Sequence, residues 1–357
     1  MQGLMKLAPG LANVGIGDTA EPDALPGHVI IEVAYAGICG TDLHIYHDEF
    51  KTKPPVVMGH EISGRIAEIG TDVVGLHVGQ RVTTETYYST CQRCAHCRNG
   101  RPNLCMARQS IGSAVNGGFA RYVRVPAHNI HLIPDHVSDQ AAALSEPLAC
   151  VVNAVELGHI TTGDVVVIAG PGTIGLLTLQ VAQSAGAHVI VLGTRLDEAR
   201  LALARQIGAS ACINIDTTDP LPHINALSAG LGADVVIECA GAGPAASALL
   251  QLVRRGGRYM QIGLFGTPIS WDMDQVCYRE LIVTGSNASV PSAWRRALRL
   301  LANGTVRTEP LISDIRPIND WQRAFADFEA KSGFKILLTP TLVEQRKQTE
   351  TTAHAYY

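Results

Sequence analysis

The sequence predicts an α/β chain in two parts, a β-rich first part and a second part built on a parallel sheet. Two observations carry this. Over roughly the first 150 residues, short β-like runs alternate with glycine turns. From about Cys150, strand-like runs alternate with helical ones, as a parallel sheet covered on both faces by helices requires. A length of 357 residues suits about two domains.

In the first part the β-like runs are 28–36, 63–69 and 121–125, punctuated by Gly70, Gly75, Gly79 and Gly117-Gly118. They read as a compact, mostly antiparallel domain. In the second part, strand 164–169 leads through a glycine turn into an apolar helix ending at Ala185. Gly170, Pro171, Gly172 and Gly175 interrupt the apolar run, which fits a strand-turn-helix better than a membrane span. Strand 188–193, helix 197–207 and strands 211–215, 234–239, 258–262 and 281–284 follow. A last segment, from about Asn287, holds helices 291–301 and 320–329 and strand 335–338. The polar tail, 341–357, is expected to be disordered.

Net charge is −4, so no basic field advertises nucleic acid. Residues 1–10 lack the charged start and apolar core of a signal peptide. Nine cysteines, an odd number, argue against a disulfide framework. The expectation is a soluble, cytoplasmic protein with no membrane or nucleic-acid partner.

Four of those cysteines, Cys91, Cys94, Cys97 and Cys105, are spaced x2, x2 and x7 in a polar stretch, a surface lobe at about 88–106. Four thiolates can close a tetrahedral shell around one zinc and leave no position for a substrate. Such spacing in a reducing compartment favours metal over two disulfides. Arg93, Arg98 and Arg101 beside them could contact phosphate, but solvated loop arginines are the preferred reading.

Gly170-Pro171-Gly172-Thr173-Ile174-Gly175 follows a predicted strand and opens a predicted helix. Gly170 permits the tight turn, Gly172 lets the backbone approach a pyrophosphate, and Gly175 allows close helix-strand packing. In that context the motif predicts a dinucleotide site. The second strand ends in Gly193-Thr194-Arg195, not in the acid that holds the ribose of NAD, and the next carboxylate is Asp197. A hydroxyl and an arginine suit a 2′-phosphate, so NADP is preferred to NAD; a solvated Arg195 with loose cofactor choice is the alternative.

A second set of natural zinc ligands, Cys39, His60 and Glu61, lies in the β-rich part. Singly, each could be a buried thiol, a core histidine or a surface charge. In order, the motifs Gly37-Ile38-Cys39-Gly40-Thr41-Asp42-Leu43-His44 and Gly59-His60-Glu61-Ile62-Ser63-Gly64, the four-cysteine lobe and the glycine loop resemble the zinc-dependent medium-chain alcohol and polyol dehydrogenases. The likeness runs from about Lys6 to Pro340. Cys39 to Tyr46 is most similar to threonine dehydrogenases, and Ser145-Glu146-Pro147-Leu148 to sorbitol and other polyol dehydrogenases.

That resemblance implies a GroES-like β-rich catalytic domain, residues 1–149, and a Rossmann doubly wound cofactor domain, 150–286. It implies a return to the catalytic domain over 287–340. It implies two zinc ions per chain. Cys39 and His60 would hold the catalytic one, with Glu61 and Glu146 as direct or water-mediated ligands. Cys150 rivals Glu146, but the Ser-Glu-Pro-Leu match favours Glu146, and Cys150 reads as a buried thiol beginning a helical stretch. Zinc would polarise an alcohol oxygen, and hydride would leave the carbinol carbon for the nicotinamide. Thr41 matches the family's hydroxyl that touches the substrate oxygen, and His44 the histidine that ends a proton relay through the cofactor ribose. Asp42 is expected to orient the Cys39 loop or a metal ligand. His47 and Asp48 read as solvated, and Asn153 resembles a pocket-side asparagine, a helix-surface amide being an equal reading. Near Ser286-Asn287-Ala288 the arginine of sorbitol dehydrogenases is missing, which argues against a sorbitol-like substrate. Strand 281–284 falls at the sheet edge that pairs across a dimer in related enzymes, so a homodimer or homotetramer is implied.

Three rivals are a zinc-free quinone or enoyl reductase, a non-catalytic zinc- and nucleotide-binding protein, and a zinc-ribbon nucleic-acid module. The first would lack Cys39, Glu146 and the lobe, the second would lose Cys39, His60 or Thr41, and the acidic charge opposes the third.

Overall fold

Ten residues, His28–Gly37, make the longest strand of the computed structural model, which describes residues 1–340. The expected disordered tail, 341–357, lies outside the described residues. The chain clusters into two units, Met1–Glu146 with the segment from Ile312 onward, and Pro147–Leu311.

In the first unit β1 (Gln2–Lys6) and β2 (Val14–Asp18) precede the long strand, β3 (His28–Gly37). The helix α1 (Gly40–Tyr46), β4 (Val56–Val57), β5 (Glu61–Ile69) and β6 (Arg81–Thr84) follow. Around the cysteines lie β7 (Tyr87–Ser89), the one-turn helix α2 (Ala95–Arg98) and β8 (Gln109–Ser110). Then come β9 (Tyr122–Pro126), β10 (Ile130–Leu132) and α3 (Asp139–Ala143). β3 pairs antiparallel with β5 along its length and with β9 over its first half. The core is built from these strands, including Val29, Ile31, Val33, Ile62 and Ile66, with Phe119 from the loop before β9. The mostly antiparallel expectation holds. β1 and β2 escape a pattern reading because β1 is buried on four successive residues and β2 carries Gly15 and Gly17.

The helix α4 (Ser145–Leu157) begins two residues before the division between the units. The sequence reading starts this helix at Cys150. Ser145-Glu146-Pro147 belongs to it because a proline in the first turn sacrifices no intrahelical hydrogen bond.

In the second unit the elements run β11 (Val165–Ala169), α5 (Thr173–Ser184), β12 (His188–Gly193), α6 (Glu198–Gln206), β13 (Ala211–Asn214) and α7 (Leu221–Leu227). They continue through β14 (Ala233–Glu238), α8 (Gly243–Leu252), β15 (Val253–Gln261), α9 (Asp274–Tyr278), β16 (Ile282–Gly285) and α10 (Pro291–Ala302). The six strands are parallel in the order β13-β12-β11-β14-β15-β16. This is the doubly wound order, whose ligand crevice lies at the carboxyl ends where the order reverses beside β11. Every residue of β11 is buried, as a strand covered on both faces demands.

The sequence reading places the chain's return at 287, whereas 287–311 clusters with the second unit. α10 buries Ala293, Trp294, Ala297 and Leu301, and Gln180 exchanges hydrogen bonds with both Arg307 backbone groups (3.1 and 2.8 Å). From Ile312, β17 (Ile312–Pro317), α11 (Trp321–Glu329) and β18 (Lys335–Thr339) complete the first unit's sheet, in the order β10-β6-β5-β3-β18-β17. β18 lies antiparallel to the end of β3, Leu338 against Ala36 and Leu337 against Gly37. Among the described residues no helix is long and apolar enough to cross a membrane.

Candidate active site and metal centres

The end of β3 delivers Cys39 to the N-cap of α1. Asp42 closes a capping box there. Its Oδ2 accepts from Cys39 N at 2.9 Å, and its own N–H donates to the Cys39 carbonyl at 3.0 Å. Among the described residues the other oxygen of this buried carboxylate, Oδ1, makes no hydrogen bond, and it lies 4.0 Å from His60 Nδ1. Asp42 thus holds the Cys39 loop and faces the His60 imidazole.

Glu61 opens β5 directly across the sheet from Gly37, and His60 immediately precedes it. A Cβ at Gly37 would fall 2.0 Å from Glu61 Oε2, so only glycine fits beside this carboxylate. The ligand atoms of Cys39, His60 and Glu61 all lie within 4.8 Å of one another. Glu146, buried in the first turn of α4, is outside that group but close enough for its charge to act on His60. Cys150 sits half-buried one helical turn after Glu146.

The surroundings of His60 favour positive charge. Burial opposes protonation, but the hydrogen bond and charge of Cys39, then the charges of Asp42 and Glu146, hold its pKa well above the usual histidine value. Burial raises the Asp42 carboxyl above the usual range against the opposing pull of His60 and of the Cys39 N–H. Soft sulfur, an imidazole and carboxylates, with a buried carboxylate oxygen 4.0 Å behind the imidazole, form a donor set suited to zinc.

One functional residue escapes the sequence reading. Lys335 opens β18 almost fully buried, and its Nζ lies 2.7 Å from both Glu61 oxygens and donates to the Ile38 carbonyl at 2.7 Å. Burial alone would lower its pKa; Glu61 above all, then Cys39 and Asp42, outweigh this and raise it. The ammonium thus ties the last strand to both the Cys39 loop and the Glu61 carboxylate, and any metal bond from Glu61 is shared with it. No local motif marks a lysine 274 residues from its partner.

Thr41 and His44 stand three residues apart on one face of α1. Thr41 Oγ1 is 3.7 Å from Cys39 Sγ, and His44 Nδ1 is 2.6 Å from Glu49 Oε2. His47 and Asp48 are paired rather than simply solvated, His47 with Glu329 (2.7 Å) and Asp48 with the buried ammonium of Lys6 (3.2 Å). Each meets a partner far away in sequence, which the local pattern conceals.

The lobe is built differently. Sulfur separations are 3.5 Å for Cys94–Cys97, 3.6 Å for Cys91–Cys105 and 4.0 Å for Cys91–Cys97. Four sulfurs each about 2.3 Å from one ion in a tetrahedron stand about 3.8 Å apart, whereas a disulfide needs about 2.05 Å. The spacing is that of a closed zinc shell. Backbone N–H groups of Cys91, Cys94 and Cys97 point at neighbouring sulfurs at 3.3–3.5 Å, and Arg93, Arg98 and Arg101 are exposed.

In the second unit, Gly170 has φ +97° and a Cβ on it would strike Ala240 at 2.7 Å; a Cβ on Gly175 would strike the Gly170 carbonyl at 1.9 Å. Among the described residues a Cβ on Gly172 would meet nothing within 4 Å, and the N-cap of α5, a glycine, makes no side-chain cap. Free space before a helix N-terminus at the switch point fits a pyrophosphate. Pro171 packs beside Gly193, which brings the glycine loop and the Thr194 turn together. Asp197 is turned inward: its carboxylate accepts from Thr194 N and Oγ1 (3.1 and 2.9 Å) and faces Arg200. It is committed to this turn, while the Arg195 side chain is exposed. Asn153 on α4 donates to Ser286 Oγ (3.2 Å) and the Ala288 carbonyl (3.0 Å), so its amide nitrogen pins the loop after β16.

Residues 25–135 match the family model described as alcohol dehydrogenase GroES-like domain, and 173–303 that of zinc-binding dehydrogenase. The chain is 39% identical to a sorbitol dehydrogenase of Halalkalibacterium halodurans, over 95% of this chain and 99% of the relative. It is likewise 39% identical to a D-arabitol-phosphate dehydrogenase of Enterococcus avium, over 95% and 97%. A crystal structure described as a zinc-binding dehydrogenase from Sinorhizobium meliloti 1021 bound to NADP superposes with TM-score 0.87 at 33% identity, covering 95% of this chain and 99% of that one. With these matches spanning both units, the chain belongs to the zinc-binding dehydrogenases of the alcohol dehydrogenase family.

Proposed function

We propose that this protein is a zinc-dependent dehydrogenase that interconverts a secondary alcohol and a ketone, with NAD(P) as the hydride partner. The observation that carries the reading is the Cys39–His60–Glu61 group, three donors within 4.8 Å with a buried carboxylate behind the histidine. Cys39 and His60 are ligands, Glu61 serves the metal while paired to Lys335, and Glu146 completes the set directly or through water. Zinc held there supplies a Lewis acid that polarises the substrate oxygen. NAD(P), held by Gly170, Pro171, Gly172, Thr173, Ile174 and Gly175 with Thr194 and Arg195, supplies the hydride acceptor. Thr41 receives the hydrogen bond of the substrate hydroxyl, and His44, a quarter exposed, takes up the proton and passes it to solvent. The four-cysteine zinc is structural.

The substrate is a polyol, free or phosphorylated, or an amino alcohol. Sorbitol and arabitol-phosphate enzymes among the relatives support the polyol class. NADP is preferred, since Asp197 is used up in its own turn and Arg195 is exposed. The enzyme works in the cytoplasm. The edge strand β16 exposes Ile282 and Val283, which favours pairing with the same strand of a second copy in a dimer or a tetramer of such dimers.

Initial rates over a panel of polyols, polyol phosphates, amino alcohols and ketones, each with NAD and NADP, test the reading. A turnover confined to one secondary alcohol class, with NADP favoured and the preference lost in Thr194→Asp/Arg195→Ala, is expected. No turnover across the panel by zinc-loaded enzyme overturns the activity, and an unchanged preference in the double variant overturns the cofactor assignment.

A further inference from the structure

The C-terminus of α1 closes in a Schellman motif. Glu49 N–H donates to the His44 carbonyl at 2.8 Å, Asp48 N–H donates to the Ile45 carbonyl at 3.2 Å, and Asp48 between them has φ +63°. Glycine is the usual residue at that left-handed position, because a side chain there is strained. Here Asp48 is held by its ion pair to Lys6, whose buried ammonium also donates to the Ile45 carbonyl at 2.9 Å and the Gly10 carbonyl at 2.5 Å. The motif lays its last residue, Glu49, over the residue one turn back, His44. An apolar contact commonly closes such a loop. In this chain the contact is polar, His44 Nδ1 to Glu49 Oε2 at 2.6 Å. An ionised carboxylate only accepts, so the hydrogen at this short contact sits on Nδ1.

Building on the proton role of His44 proposed above, we propose that Glu49 is a positioning residue. Its carboxylate holds the hydrogen on His44 Nδ1 and so leaves Nε2 as the ring's proton-accepting nitrogen. An unconstrained histidine favours the opposite tautomer, with hydrogen on Nε2 and no acceptor there. When Nε2 takes the proton released by the alcohol, Nδ1–H stays on Glu49 and the ring becomes an imidazolium facing a carboxylate. The proton then leaves Nε2 for solvent and the starting tautomer returns. Lys6 and Asp48 serve the arrangement indirectly, by holding the turn that carries Glu49.

The test is nitrogen-15 NMR of the full-length enzyme with labelled histidine, the His44 signals being assigned by their loss in His44→Gln. The neutral ring is expected to carry its hydrogen on Nδ1, and Glu49→Leu, which leaves no acceptor for Nδ1–H, should shift it toward Nε2. In the same variant kcat should fall roughly tenfold, a part of what general acid–base catalysis supplies, with the alcohol KM unchanged within about twofold and partial rescue by Glu49→Asp. A wild-type ring with hydrogen on Nε2, or a tautomer unmoved in Glu49→Leu, overturns the proposal. So does a moved tautomer with unchanged kcat. If His44→Gln keeps full kcat, the relay reading fails by itself, and the spectrum still shows whether Glu49 holds the ring.

Discussion

The cysteines of the lobe find one another across at most 14 residues of chain, through N–H groups of their own backbone. The Cys39 group is held by residues up to 297 positions away: Lys335 on the last strand grips Ile38 and Glu61, and Asp42 faces His60. The lobe offers four equal sulfurs and very little apolar core, since nearly every residue between Cys91 and Cys105 is exposed or half-exposed. The Cys39 group offers mixed donors in a buried, charged setting. A shell of four thiolates is saturated, so its contribution is to folding. Three mixed donors with unsatisfied charge around them leave a metal able to do chemistry.

The largest expected contrast is in stability. Structural zinc contributes on the order of 10 kcal/mol in isolated finger peptides. Cys97→Ser should therefore unfold the lobe, seen as protease cleavage between Cys91 and Cys105 and loss of about one zinc per chain. A lobe that stays protected would remove its dependence on metal.

Lys335→Met should cost about 3–5 kcal/mol, because it leaves the Glu61 carboxylate buried without its partner. Denaturant unfolding of the metal-free protein measures this directly. A loss below about 1 kcal/mol would mean that water or a shifted side chain replaces the ammonium.

Asp42→Asn should leave the fold intact and weaken zinc binding at the Cys39 group roughly 10–100-fold, the usual cost of losing a partner behind a metal ligand. Chelator competition reads it, and unchanged affinity would make Asp42 a capping residue alone.

The smallest effect concerns pH. His60 is held protonated above the ordinary histidine value, and zinc must displace that proton. Affinity at this group should therefore rise with pH, at least tenfold per unit below the raised His60 value, since the Cys39 thiol also gives up its proton to the metal. A flat profile across that range would show that His60 is not a ligand.

What the sequence makes legible follows the same division. The four cysteines, the glycine loop and most strands and helices declare themselves by local spacing or period, and the structure finds them within a few residues of expectation. The partners that decide the chemistry do not. Lys335 looks like the start of an ordinary strand, Glu49 like a loop acid, and Asp197 like a spare carboxylate until the fold shows each one engaged. Asn153 reads as a pocket residue until its amide is seen to pin the loop after β16. Tertiary pairing leaves no mark on local pattern, so these roles were visible only after folding.

The division of labour between the two donor groups is tested most directly by His60→Ala, assayed for zinc content, thermal unfolding and turnover together. A fall from about two zinc per chain to about one, an unfolding midpoint near that of the parent, an intact lobe and no measurable turnover are expected. Full turnover with only the lobe zinc retained would contradict that division, and so would loss of the lobe zinc with the Cys39 group still loaded.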